Sequence, residues 1–166
     1  MAADKLALYA MSDISPELAV QLIDNSLPWD RATQMHIDAF LKRYTLHDSY
    51  WEAMQTNCAW ADTATAVFRF DPVWNSSVSA PTSFVSDWPL LVIRFNCVST
   101  IRLSGFKDFG RSPRDISDVA VEHISDEEVI TVMRDIYGAS VSFQHFPLID
   151  VLVMSANEEV IELPAN

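Results

Sequence analysis

Glycine is scarce in this chain. Three occur in 166 residues, Gly105, Gly110 and Gly138, and none precedes residue 105. A P-loop, a dinucleotide fingerprint and a G-x-S-x-G nucleophile elbow each need several glycines at fixed offsets, so that backbone can approach a phosphate or turn sharply. The sequence excludes all three. Cysteine is scarcer still, with only Cys58 and Cys97, each in an apolar stretch and neither near a Cys or His at metal-ligand spacing. HExxH and paired CxxC are also missing, so the common zinc sites are excluded. Two buried free thiols in a reducing compartment are expected, with no metal and no cofactor.

No uninterrupted apolar run approaches the ~20 residues that span a bilayer. Met1-Ala2-Ala3-Asp4-Lys5 lacks the basic segment and apolar core of a signal peptide. The expectation is a cytoplasmic protein with no membrane contact. A length of 166 residues with 49% hydrophobic and 20% charged side chains suits one globular domain, residues 1–166.

Positive charge is the fourth shortage, and it is uneven. Residues 1–114 carry 10 Lys/Arg against 12 Asp/Glu, whereas residues 115–166 carry Arg134 alone against 11 acids, so most of the formal charge of −12 lies in the final third. Such a field repels phosphate backbones and favours association with basic surfaces. Direct nucleic-acid binding is disfavoured, because it needs clustered Lys/Arg to replace counterions. An acidic face that only keeps the chain soluble remains an equal alternative.

The elements follow from local pattern. Ser15-Pro16-Glu17 opens a helix, with Ser as N-cap, Pro at the first position and an acid at the positive end. It runs to about Asp24, before Asn25-Ser26-Leu27-Pro28 breaks it. Asp30 is read as the cap of a second helix ending near Tyr44, on the stripe Ile37, Phe40, Leu41 and Tyr44. Strands are expected over 49–59 and 63–70, then a long loop over 73–89 whose Trp74, Phe84 and Trp88 partly pack down. Further strands are expected over 90–95, 98–103, 119–124, 141–146, 149–154 and 160–163, with a polar loop over 107–115. Ser125-Asp126-Glu127-Glu128 has the form of a capping box. It predicts a third helix carrying Val129, Val132, Met133 and Ile136 on one face and ending at Gly138. The expected fold is α+β: an antiparallel β-sheet with two N-terminal helices and one later helix packed on it.

The segment Thr45-Leu46-His47-Asp48-Ser49-Tyr50-Trp51-Glu52 is the densest in chemistry-bearing side chains. Alternation along a strand would put His47 and Ser49 on one side and Asp48 and Glu52 on the other, so it does not read as a catalytic triad. As a helix-to-strand corner, Asp48 would cap free amides, His47 would bond a neighbouring strand and Trp51 would enter the core. His36 is placed on the surface of the second helix, and His123 and His145 in strands as structural residues.

Leu46-His47-Asp48-Ser49, entering a strand in a small acidic α+β chain, resembles bacterial immunity proteins of polymorphic toxin systems. In those families an "hDs/hDa" motif often introduces the first strand of an antiparallel sheet. The resemblance covers about a dozen residues around His47. It implies a cytoplasmic protein that binds one cognate toxin and blocks it without catalysis. The partner would be a basic toxin domain, and charge placement picks out Asp115, Asp118, Glu122, Asp126, Glu127 and Glu158 as the binding residues. Three alternatives stay open: another acidic inhibitor or DNA mimic, a small enzyme joining His47, Asp48 and Glu52 to His123 or His145, and a subunit of a larger assembly. The oligomeric state is not readable from the sequence.

Overall fold

Period-2 burial dominates the chain. The computed structural model describes residues 14–57, 62–82, 84–105 and 114–164. The long helix α1 (Pro16–Asp24) forms as its sequence dictates. Ser15 Oγ accepts the Leu18 amide, and Asn25 closes the helix in the left-handed conformation with its amide bonded back to Gln21 and Leu22. The second expected helix starts later than Asp30. Trp29–Arg31 is a single 3-10 turn, and Thr33–His36 is a strand, β1, paired with residues 148–151. Only Ile37–Arg43 is helical (α2), N-capped by the His36 Nδ1 atom, which accepts the Asp38 amide at 3.2 Å. The tertiary pairing of β1 overrides the local helical signal.

The remaining strands are β2 (Tyr50–Asn57), β3 (Thr63–Arg69), β4 (Leu90–Phe95), β5 (Thr100–Ser104), β6 (Arg114–Ser125), β7 (Glu128–Asp135), β8 (Ser140–His145), β9 (Leu148–Met154) and β10 (Val160–Ile161). All pair antiparallel, in the order β1-β9-β4-β3-β2-β6-β7-β8-β5, with β10 also on β9. Two register pairs join β2 to β6, Tyr50 to Asp115 and Trp51 to Arg114, beside a bulge at Trp51/Ala53. There the sheet turns over on itself. Its back portion, β6-β7-β8-β5, faces the front portion across one core, where the Phe95 and Phe143 rings stack at 4.5 Å. Ile37, Phe40, Tyr44 and Leu46, from α2 and its exit, join this core. The other face of the front portion, with Val67, Leu90, Val92 and Leu152, is covered by Leu18 and Leu22 of α1.

The antiparallel sheet and the two N-terminal helices stand, but the later helix does not form. Residues 128–135 are β7, hairpinned to β6 through a turn at Asp126 and Glu127. Val129, Met133 and Ile136 fit a helical stripe, but Val129, Thr131, Met133 and Asp135 fit a strand equally, and these four are the buried ones. Ile136, which a helix would bury, is 52% exposed. The run Val129-Ile130-Thr131-Val132 is β-branched throughout and favours the pleated form. The apparent capping box is a turn in which Ser125 Oγ accepts the Glu127 amide at 3.2 Å.

Smaller corrections follow. Cys97 is exposed, at φ 51°, and is not a buried thiol. Cys58 and most of the expected 107–115 loop lie outside the described residues. In the 73–89 loop Trp88 packs down, while Trp74 and Phe84 are exposed. Among the described residues no helix is long and apolar enough to cross a membrane.

Candidate functional site

The corner after α2 is built from backbone outward. Asp48 takes the left-handed conformation (φ 62°), which sends the chain from the helix into β2. Its amide donates to the Ile116 carbonyl, and the Ile116 amide returns a bond to Ser49, so the corner is fastened to the start of β6. The buried Ser49 hydroxyl accepts the Asp71 amide at 3.0 Å, fastening the end of β3 to the same point. Buried Asn75 then ties the following loop to Thr45 through both its amide nitrogen and its oxygen.

His47 and Asp48 do not face apart as strand alternation predicted, because they sit in a turn. His47 Nε2 lies 3.4 Å from Asp48 Oδ2, and its Nδ1 lies 2.9 Å from the Ser117 carbonyl. A carbonyl only accepts, so Nδ1 carries the proton of that bond. Among the described residues Asp48 caps no backbone amide; its Oδ2 accepts the Trp74 indole N–H at 3.0 Å, and the Trp74 and His47 rings meet edge to face at 5.1 Å. His47 thus bonds a neighbouring strand as expected, and the half-buried Trp51 ring packs on Phe68 at 5.7 Å.

Carboxylates gather at this corner from four separate segments. Burial pushes the Asp115 carboxyl above its ordinary value, and Asp48 adds to the rise; Asp71 and Asp135 contribute less, and His47 opposes them. Burial likewise raises Asp71, against the Val73 amide that bonds its Oδ1, with Asp48 again adding. Tyr50 is raised by burial first, then by Asp115, Asp48 and Asp71. Asp115 Oδ1 is buried without a hydrogen-bond partner. Among the described residues no lysine or arginine pairs with Asp48, Asp71 or Asp115. The result is a negative corner rimmed by aromatic rings, Trp74 at 54% and Tyr137 at 80% exposure, with His47 the one basic group among its electrostatic neighbours within the described residues.

The other candidates distribute clearly. Asp115, Asp118 and Glu122 lie on β6, and Asp126 and Glu127 form the turn that follows it. Five of the six expected acids therefore run along one hairpin, and Asp115 joins them to the His47/Asp48 corner. Asp118 is paired with Arg134 at 2.9 Å. Glu158 stands apart: its carboxylate accepts both the amide and the hydroxyl of Ser15 and completes the α1 N-cap. Glu52 is buried and paired with Arg69 at 3.3 Å. His123 pairs with Asp38 at 2.9 Å, beside a cavity of about 340 Å³ that His36 and Asp126 also line. His145 is buried against Thr131 at 2.7 Å. The side chains that a catalytic reading required to meet are thus spread over four places. Among the described residues no cluster of three His, Cys, Asp or Glu is placed to hold a metal ion.

No family model matches the chain, and neither a curated protein nor a solved structure matches it. The site rests on its own geometry. Sequence reasoning missed Asp71, read only as the end of a strand, and Tyr50 and Tyr137. What groups them is the approach of Asp71, Asp115 and Tyr137 to Tyr50, which joins segments far apart in the chain, so no local pattern marks them.

Proposed function

We propose that this protein is a cytoplasmic binding protein of immunity type, which neutralises a basic toxin domain by occluding its surface. The observation that carries the reading is the line of Asp115, Asp118, Glu122, Asp126 and Glu127 along the β6–β7 hairpin, running into the unneutralised corner of Asp48 and Asp71. A carboxylate whose buried oxygen lacks a donor, and whose neighbours are also negative, gains most from an incoming guanidinium or ammonium group. Exposed Trp74 and Tyr137 offer ring faces to the same cation. The leu-His-Asp-Ser likeness supports the immunity form of the reading, since it falls on the residues that fasten this corner. No step of the proposed function needs a cofactor.

The test is capture from the source cell lysate on the immobilised chain, at roughly 50 mM and 500 mM salt, with bound proteins identified by mass. A basic toxin-like partner released by salt is expected. Replacing Asp115, Asp118, Glu122, Asp126 and Glu127 by Asn or Gln should then weaken that complex at least 100-fold and flatten its salt dependence. An unchanged affinity and salt dependence would overturn the reading.

A further inference from the structure

The back portion of the sheet has an outer face, and its register is self-complementary. Asp118, Ala120 and Glu122 point outward from β6, because Val119 and Val121 pack on the core. Ala120 pairs with Val132 of β7, Val132 with Ser142 of β8, and Ser142 with Arg102 of β5. These four residues form one row across the four strands. At one edge of the row is an alanine between two acids; at the opposite edge, at the same level, is an arginine.

The charges on this face differ from those of the chain as a whole. Rows of Asp118, Arg134, Ser140 and Ser104 and of Glu122, Ile130, Gln144 and Thr100 flank the central row, and Glu128 accepts from Gln144 at 2.6 Å; the face thus carries three acids against Arg134 and Arg102, a net of −1 on a chain of −12. Arg134 is already paired with Asp118. Arg102 and Glu122 are both exposed and make no ion pair among the described residues. Ile130 and Val132 at the centre are half-buried and belong to neither core.

We propose that this face docks a second copy of the chain, related by a two-fold axis parallel to the strands and passing between β7 and β8. That operation lays β6 of one copy over β5 of the other and β7 over β8. The second copy's Arg102 then arrives over Ala120, whose small side chain leaves room, and lies between Asp118 and Glu122. The symmetry makes the contact twice. Val132 and Ile130 close the centre against Ser142 and Gln144, in the aligned packing of two twisted sheets. Approach at this nearly neutral face is opposed little by the charge that two such molecules carry.

The patch spans three strand spacings of ~4.8 Å and measures roughly 20 Å by 20 Å with its side chains. That is about half of the ~800 Å² per partner in a standard interface. The dimer is therefore weak, with a dissociation constant on the order of 10⁻⁴ M. The dimer covers Asp118 and Glu122, which the proposed toxin contact also uses, so the two contacts compete for this face.

The test is sedimentation equilibrium of the full chain from ~10 µM to ~1 mM at physiological ionic strength. A monomer–dimer equilibrium is expected. Arg102→Glu should raise its dissociation constant at least tenfold, Val132→Lys should do the same, and Arg102→Glu with Glu122→Arg should restore it. All three changes lie at exposed or half-buried positions of the outer face, and unchanged thermal melting confirms that each variant is folded. A chain monomeric throughout the range overturns the proposal. So does a dimer indifferent to Arg102→Glu and Val132→Lys, which would place self-association elsewhere.

Discussion

Acid should unfold this protein in part through one side chain. His145 is 1% exposed, on the inner face of β8, with the Phe95 ring edge-on at 4.7 Å. Its Nδ1 lies 2.7 Å from the Phe146 carbonyl and donates to it, which leaves Nε2 to accept from the Thr131 hydroxyl at 2.7 Å. The neutral ring is thus satisfied at both nitrogens. Burial opposes the charged form and lowers the pKa from 6.5 to about 4, although the Phe146 bond favours it. A depressed folded-state pKa means that the stabilisation is complete above the unfolded value of ~6.5 and is lost as pH falls towards about 4. At ~1.4 kcal/mol per unit the difference is about 3 kcal/mol, a large part of the 5–15 kcal/mol of a typical domain.

Asp71 and Asp115 act with the opposite sign. Their raised folded-state values penalise the fold at neutral pH, and acid relieves that penalty, so the raw stability curve mixes the two effects. The measurement is therefore a difference. Urea midpoints of the wild type and His145→Gln are compared from pH 7 to pH 4. The variant will be less stable at pH 7, because it repacks against Phe95. Its lead deficit should shrink by about 3 kcal/mol across the window as the wild type alone loses the histidine contribution. Parallel curves for the two proteins, or an NMR titration of His145 near 6.5 in the native state, would refute the reasoning.

The Tyr44 hydroxyl is buried without a partner among Phe40, Phe70 and the end of the C-terminal strand region. Tyr44→Phe should therefore raise stability by about 1 kcal/mol, read as a higher urea midpoint at an unchanged m-value. Arg69→Met removes the buried cation paired with the Glu52 carboxylate and also the donors to the Ser86 and Trp88 carbonyls. A loss of roughly 3–5 kcal/mol is expected, with Trp88 fluorescence reporting the loosened loop. Ser15→Ala removes the cap held by Glu158 and should cost about 1 kcal/mol by chemical denaturation, while hydrogen exchange should rise in α1 more than in β3.

Much of the fold was legible where one physical signal stood alone. Ser15-Pro16 marked α1 to the residue, and the apolar runs at 63–69 and 90–95 marked the central strands. Errors came where two signals competed. Residues 129–136 satisfy both a 3.6 and a 2.0 period at Val129 and Met133, and a turn serine imitated a helix cap. The tie could be broken by the β-branched run, but its outcome was fixed by β8, whose strand needed a neighbour. The candidate site was legible only in pieces. His47 and Asp48 attracted notice as a segment and Asp115 as part of a charge excess. That they meet is decided by bonds between residues 48 and 116 and between 49 and 71, which no local pattern encodes.

The place of β9 in the sheet sets the order in which the chain can become a folded object. β9 pairs on one side with β4 and on the other with both β1 and β10, so Thr33 waits for Val151. The hairpins β2–β3, β6–β7 and β7–β8 close over short stretches and can form as they emerge from the ribosome. The pairing of β1, β4 and β10 with β9 cannot. Until residues 148–154 are made, the open side of β4 holds Leu91, Ile93 and Phe95 beside unpaired backbone, a template for intermolecular strand addition. Synthesis of residues 148–154 is the step that ends this exposure.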